Sequence, residues 1–361
     1  MGMKADLYNH HYENHPLLIE HIERREIGLQ LWGAEGINDR HHYYKSVGDL
    51  QHSIVARKNI AAIFASVAYY EDPMTKNTGK KGYKGSDLVF DLDEHVEGPR
   101  YDWMFHICDR TLDLVNTLTQ EVGIPESSLV IDFSGSKGFH ITVNDPTFTE
   151  MHKDDRTHLI QYLLGEKIDK SVLGRERGGW SDRYNKYKQR LAHICSDDKK
   201  LNESILVEFF DIPKANAKKL GGILSDASVR DTVKEHRLEV DAGLEKSLQT
   251  LFLRSERNKF APVDKKVTGD RHRIFRVPGS IHPKTGFVSV RVLLEDLSNP
   301  ESIFEKLKDA GGRDEVIITL TEEKVENSDQ RKKWPIGTHK VPRWLALHLL
   351  SIWPKKRTPE R

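Results

Sequence analysis

Asp87-Leu88-Val89-Phe90-Asp91-Leu92-Asp93 decides how this chain is read. As a strand it places Leu88, Phe90 and Leu92 on one face and Asp87, Asp91 and Asp93 on the other. Carboxylates two residues apart on one face repel each other, and each needs a counter-charge. A divalent cation meets that need, since Mg²⁺ favours one or two carboxylates with water and phosphate oxygens. A solvated acidic edge strand would show the same pattern, so the choice rests on the rest of the chain.

Two further strands follow at Leu129–Phe133 and Phe139–Val143, joined by the small-residue loop Ser134-Gly135-Ser136-Lys137-Gly138. Phe139, Ile141 and Val143 share one face, and His140 and Thr142 the other. Glycine admits close backbone approach, serine donates a hydroxyl and lysine supplies charge, a combination suited to phosphate. The spacing is not that of a Walker loop. A third constellation runs from Val263 to Gly286. It carries Asp264 and Asp270, then Arg271, His272, Arg273, Arg276, His282 and Lys284 around the turn Pro278–Gly286. Acids for cations beside Arg, Lys and His for phosphate oxygens is the mixture a metal-bound triphosphate requires; a charged loop between two strands would carry the same residues.

Around these stretches, periodicity predicts a helix over Pro16–Leu31, an apolar β-inclined run at Ile60–Tyr70, a loop over Glu71–Gly85 and a helix from Cys108 to Val122 ended by Gly123 and Pro125. Gly33–Tyr44 is a turn leading into the basic-aromatic cluster around Arg40 and His41, and Gly48–Asn59 is weakly patterned. Charged helical segments are expected at Leu159–Leu164, Arg183–Cys195, Leu220–Val240 and Leu244–Arg254. Strands are expected at Arg273–Val277, Phe287–Val292 and Val316–Leu320, and helices at Pro300–Ala310 and Val341–Trp353. The fold class is therefore mixed α/β. The domain reading is a discontinuous core over 1–146 and 259–330, a mainly helical insertion over 147–258, and a basic C-terminal segment over 331–361 that ends in a helix.

The 361 residues carry a net charge of only +1, so no global basic field points to nucleic acid. Charge is unevenly spread, however. Residues 331–361 hold nine Lys/Arg against Glu360 alone, leaving a mildly acidic remainder. A basic tail suits a polyanion or a docking partner, and equally a solvated end. Two cysteines, Cys108 and Cys195, exclude a disulfide framework and fit a reducing cytoplasm. Met1–His15 lacks the apolar stretch of a signal peptide, and no run is long and apolar enough to span a membrane.

Taken together, Ile22-Glu-Arg-Arg-Glu-Ile-Gly28, the Arg40-His41 cluster, Ser66–Tyr70, Phe90–Asp93, Ser134–His140 and Arg276–Gly286 are similar, in order and approximate spacing, to the small catalytic subunit of archaeal and eukaryotic DNA primases. The resemblance covers the first 146 residues and about Val263–Leu294. It implies a primase-type catalytic core on β-sheet, a metal-dependent nucleotidyltransferase that makes RNA primers on single-stranded DNA from NTPs, and some use of dNTPs. It implies Mg²⁺ or Mn²⁺ on Asp91, Asp93 and Asp264, with Asp270 the rival for the third position. It implies a nucleotide cradle of Arg40, Ser134, Lys137, His140, Arg276, His282 and Lys284, a large-subunit partner in a heterodimer, and a nucleoid-associated place in the cytoplasm.

Two departures stand out. Lys137 replaces the family's arginine and loses its bidentate geometry. The family's structural zinc follows the acidic strand on four Cys/His ligands, and here only His95, His106 and Cys108 remain, so the zinc site reads as degenerate or lost. Two other functions fit the same residues: a stand-alone primase-polymerase of repair or of a mobile element, and a non-catalytic subunit that binds nucleic acid through its basic tail.

Overall fold

The computed structural model describes residues 2–93, 100–174, 178–235, 238–260, 263–326 and 332–351. The chain divides into two compact units, Met1–Ile160 with Pro262–Arg361, and Gln161–Ala261.

The first unit is built on two antiparallel sheets. It opens with helix α1 (Met3–Asn14), strands β1 (Ile27–Leu31) and β2 (Asp39–His42), helix α2 (Val47–Arg57) and strand β3 (Ile60–Ser66). A short ribbon follows, β4 (Ala68–Tyr70) with β5 (Tyr83–Ser86), then β6 (Leu88–Asp93), helix α3 (Arg100–Thr117), β7 (Leu129–Phe133) and β8 (Gly138–Val143). Helices α4 (Pro146–Thr149) and α5 (Lys153–Leu163) lead away from it. The second unit holds α6 (Gly179–Ile194), α7 (Lys199–Phe210), α8 (Lys214–Ile223), α9 (Ala227–Glu235) and α10 (Ala242–Lys259) around a core that includes Trp180, Tyr184, Leu206, Leu220 and Phe252.

After Pro262 the chain adds helix α11 (Lys265–Gly269), then β9 (Ile274–Arg276) on the edge of one sheet and β10 (Val290–Val292) on the edge of the other. The strand orders are β2-β1-β3-β9 and β10-β7-β8-β6. Helices α12 (Leu294–Ser298) and α13 (Pro300–Gly311) follow. The ribbons β11 (Glu315–Leu320) with β14 (Gly337–Pro342) and β12 (Lys324–Val325) with β13 (Lys333–Trp334) precede the closing helix α14 (Arg343–Ser351).

The sheet cores follow their sequences. Every residue of Ile60–Ser66 is buried, as a continuous apolar run in a central strand requires. In β6, Leu88, Phe90 and Leu92 are buried, and the acids take the other face. Phe139, Ile141 and Val143 are likewise buried on β8.

Several expectations fail for local reasons. Pro16–Leu31 is not a helix: it forms a single 3₁₀ turn at Ile22–Arg24 and then β1. Its charged residues imitate helical spacing. The segment is held extended by pairing on both edges, with β2 and with β3, and by Arg25, whose guanidinium bonds Glu20 O and Ser66 O. Tertiary pairing overrides local propensity here. Gly48–Asn59 contributes to helix α2, started by the Ser46 hydroxyl on Asp49 N. Leu220–Val240 is broken, because Asp226 caps a new helix through Ser228 N. Lys199–Phe210 is an additional helix, capped by Asp198. The tract Glu71–Gly85 ends in a strand, β5. Val341 lies in β14, α14 starts at Arg343, and Trp353 lies outside the described residues.

Candidate active site

β6 supplies the acidic edge. Its backbone pairs with β8 so that Asp91 faces His140 and Asp93 faces Gly138. A bridge between Leu92 and Val263 and the bond from Asp264 N to Asp91 O (2.8 Å) bring the chain after the second unit against the end of β6. Asp264 starts α11 there, its Oδ1 accepting from Lys266 N and Val267 N. Asp270 turns back on its own loop, accepting from His272 N at 2.9 Å. Burial, and then the charges of Asp93 and Asp264, push the Asp91 carboxyl up to about 7, with Arg273 opposing. Asp264 rather than Asp270 therefore acts on Asp91.

A lysine ammonium and an imidazole lie against these acids. Lys137 Nζ is 3.5 Å from Asp93 Oδ2, and His140 Nε2 is 3.6 Å from Asp91 Oδ1. Burial takes the His140 ring down to about 4. Strand register sets His140 in a cross-sheet row with Asp91, Asp132 and Arg291, and Arg291 Nε donates to Asp132 Oδ1 at 3.0 Å. The His140 ring meets Phe275 of the other sheet edge-on, at 4.6 Å between centroids.

The loop 134–138 and the turn 278–286 form one connected wall. Gly135 adopts a positive φ of 79° and packs on the turn, where a Cβ would stand 3.0 Å from Phe287 O. Thr285 Oγ1 donates to Gly135 O (2.6 Å), Ser289 Oγ to Phe133 O (2.7 Å) and Arg276 to Ser134 O (3.2 Å). The turn itself is closed by His282 N on Phe287 O and Gly286 N on His282 O. Arg276 is partly buried beside Phe64, and Lys284 is exposed.

Arg40, on β2, donates from Nε to Glu26 Oε1 at 2.9 Å. Glu26 is buried, and its other oxygen takes the fully buried Lys81 at 2.5 Å, while His41 Nδ1 lies 3.2 Å away. Sequence reasoning gave Glu26 no role beyond its place in the Ile22–Gly28 motif and missed Lys81; Glu26 sits just before β1. Asp87 belongs to the scaffold: Arg25 and the Tyr69 hydroxyl bind its two oxygens at 2.7 and 2.5 Å.

His95 lies outside the described residues. His106 is exposed on α3, whereas Cys108 is fully buried in the core and its thiol is pushed up to about 12 by burial. The two do not converge, and a buried neutral thiol is a core residue rather than a ready thiolate ligand. Among the described residues no group of three His, Cys, Asp or Glu forms a preassembled metal cage. The acids at β6 nonetheless suit a hard cation: they are oxygen donors, mutually repelling, and Mg²⁺ needs only one or two of them with water and phosphate.

Acids at one strand end thus stand beside a Gly-rich loop and a basic turn. The comparisons give this arrangement its place. The family model described as DNA primase small subunit matches residues 90–293, and the chain belongs to this family. It is similar to the DNA primase small subunit PriS of Methanococcoides burtonii, with 29% identity covering 77% of this chain and 78% of the relative. It is similar also to those of Natronomonas pharaonis, with 28% identity over 91% and 90%, and Thermoplasma acidophilum, with 27% identity over 96% and 97%. No helix among the described residues is long and apolar enough to cross a membrane.

Proposed function

We propose that this chain synthesises short RNA primers on a single-stranded DNA template, joining NTPs by nucleotidyl transfer, with some acceptance of dNTPs. The observation that carries the reading is geometric: Asp264 N bonds Asp91 O at 2.8 Å, His140 lies 3.6 Å from Asp91 and Lys137 lies 3.5 Å from Asp93. Asp91, Asp93 and Asp264 would hold Mg²⁺ or Mn²⁺. Such cations supply an acidified attacking hydroxyl and charge stabilisation at the α-phosphate and departing pyrophosphate.

The chain's own part is binding and orientation. The Ser134–Gly138 loop offers backbone amides to phosphate oxygens, Lys137 adds charge, and Arg276, His282 and Lys284 meet the triphosphate from the turn. His140 enters from the sheet beside Asp91, where a neutral ring acts as a hydrogen-bond donor from one nitrogen. Arg40, held at Nε by Glu26, keeps its terminal nitrogens for the nucleotide. The relatives' designation as small subunits supports a larger partner in a heterodimer, and the reaction itself supports a nucleoid-associated enzyme.

The test is incorporation of labelled NTPs on single-stranded DNA with Mg²⁺ or Mn²⁺, with and without a primer. Wild type is expected to initiate, and Asp93→Ala to be inactive yet folded. Extension without initiation would favour a stand-alone primase-polymerase. Metal-independent, salt-sensitive DNA binding without synthesis would favour a non-catalytic subunit.

A further inference from the structure

The basic turn 278–286 is gripped from outside by the first and last helices of the described chain. From α1, His11 Nε2 bonds Gly279 O at 2.8 Å, the Tyr12 hydroxyl accepts from Ile281 N at 3.2 Å, and Lys4 Nζ reaches Pro283 O at 3.5 Å. From α14, His348 Nδ1 bonds Thr285 O at 2.6 Å, and its ring stacks on Phe287 at 4.6 Å. Tyr8 OH and Ser351 Oγ, 2.9 Å apart, tie the two helices together. The fit leaves no slack. A Cβ on Gly279 would stand 2.3 Å from Pro16 O, and one on Gly286 2.1 Å from Leu347 O, and both glycines have positive φ.

Both histidines are buried, His11 at 0% and His348 at 2% exposure, yet neither is near the acidic strand's carboxylates in the bonding described above. A carbonyl oxygen only accepts, so the hydrogen sits on Nε2 of His11 and on Nδ1 of His348. Thr285 is the pivot. Its carbonyl goes to His348 and its hydroxyl to Gly135, so the same residue fixes the turn to α14 and to the loop that carries Lys137.

We propose that His348 and His11 are positioning residues for nucleotide binding: by donating to Thr285 O and Gly279 O they set where the turn presents His282 and Lys284. This rests on the reading of that turn as part of the nucleotide cradle. A displacement of about an ångström is enough to weaken a positioned contact severely.

The two side chains use different nitrogens, and this gives a chemical test. The asparagine amide can replace Nδ1, and the glutamine amide can replace Nε2. His348→Asn is expected to retain the NTP KM within about twofold, and His348→Gln to raise it about tenfold with kcat nearly unchanged. At His11 the order reverses, with His11→Gln retaining and His11→Asn losing. Both replacements at one position remove the same ring, so a shared loss of stability cancels in the comparison. Hydrogen exchange of the amides in 279–286, without nucleotide, reports the grip independently of activity. Faster exchange in His348→Gln than in His348→Asn, with KM following, supports the proposal. Equal exchange and equal KM in the two variants overturn it. A difference in exchange with no difference in KM also overturns it. In that case Lys284→Ala identifies the cause: an unchanged KM there shows that the cradle reading itself failed.

Discussion

The acidic strand and the basic turn are held in opposite ways. Asp91 and Asp93 are placed by a local ladder, β6 against β8, in which every residue from Leu88 to Asp93 has a register partner. The turn 278–286 has one isolated bridge of its own, between Ile281 and Val288, and depends on helices at positions 3–14 and 343–351. The first arrangement concentrates like charge. The second fixes its shape through packing and buried hydrogen bonds. The acids therefore repel one another, while the turn has little tolerance for any change of shape.

The largest expected effect tests the turn's intolerance. Gly286→Ala places a Cβ against Leu347 O in a left-handed conformation. It should cost about 3 kcal/mol or more, read from urea unfolding. A loss near zero would mean that α14 yields, and that the turn is not braced.

The next prediction takes the acidic side. Asp91 has a folded pKa of about 7 against an ordinary value of 3.8. Between roughly pH 4 and pH 7 the folded chain keeps a proton that the unfolded chain releases, so stability falls as pH rises through that window. Asp91→Asn should remove this slope and raise the melting temperature of metal-free protein at pH 8, by about 2 °C or more. Adding Mg²⁺ should stabilise wild type more than the variant. Parallel pH profiles for the two proteins would contradict the electrostatic account.

Smaller effects should follow on the nucleotide side. Lys284→Ala is expected to raise the NTP KM about tenfold with little change in kcat. Lys137→Arg restores a bidentate donor and should lower KM by about twofold, as a phosphate contact gains a second hydrogen bond. An unchanged KM in either variant would remove that residue from the cradle.

The same contrast explains what could be read in advance. Alternation in β6 and β8, the glycine loop between β7 and β8, and the Pro278–Gly286 turn are local patterns, and each appears where expected. The resemblance places Asp264 ahead of its rival Asp270, and the structure adds a backbone bond from Asp264 N to Asp91 O, while Asp270 accepts from its own loop. The pairing of Glu26 with Lys81 could not be found, since a buried ion pair between residues 26 and 81 leaves no periodic trace. The helix expected over Pro16–Leu31 shows the converse failure. Charged residues at near-helical spacing were outweighed by two strand partners and by Arg25. His11 and His348 lie far in sequence from every motif and bond to carbonyl oxygens, which carry no side-chain signal at all.

In the proposed function the carboxylates ending β6 support metal-dependent primer synthesis. This is tested by incorporation of labelled NTPs on single-stranded DNA, with divalent metal, by wild type and by Asp93→Ala of equal melting temperature. Metal-dependent products are expected from wild type and none above background from the variant. Wild-type levels of product from Asp93→Ala would contradict the proposed function.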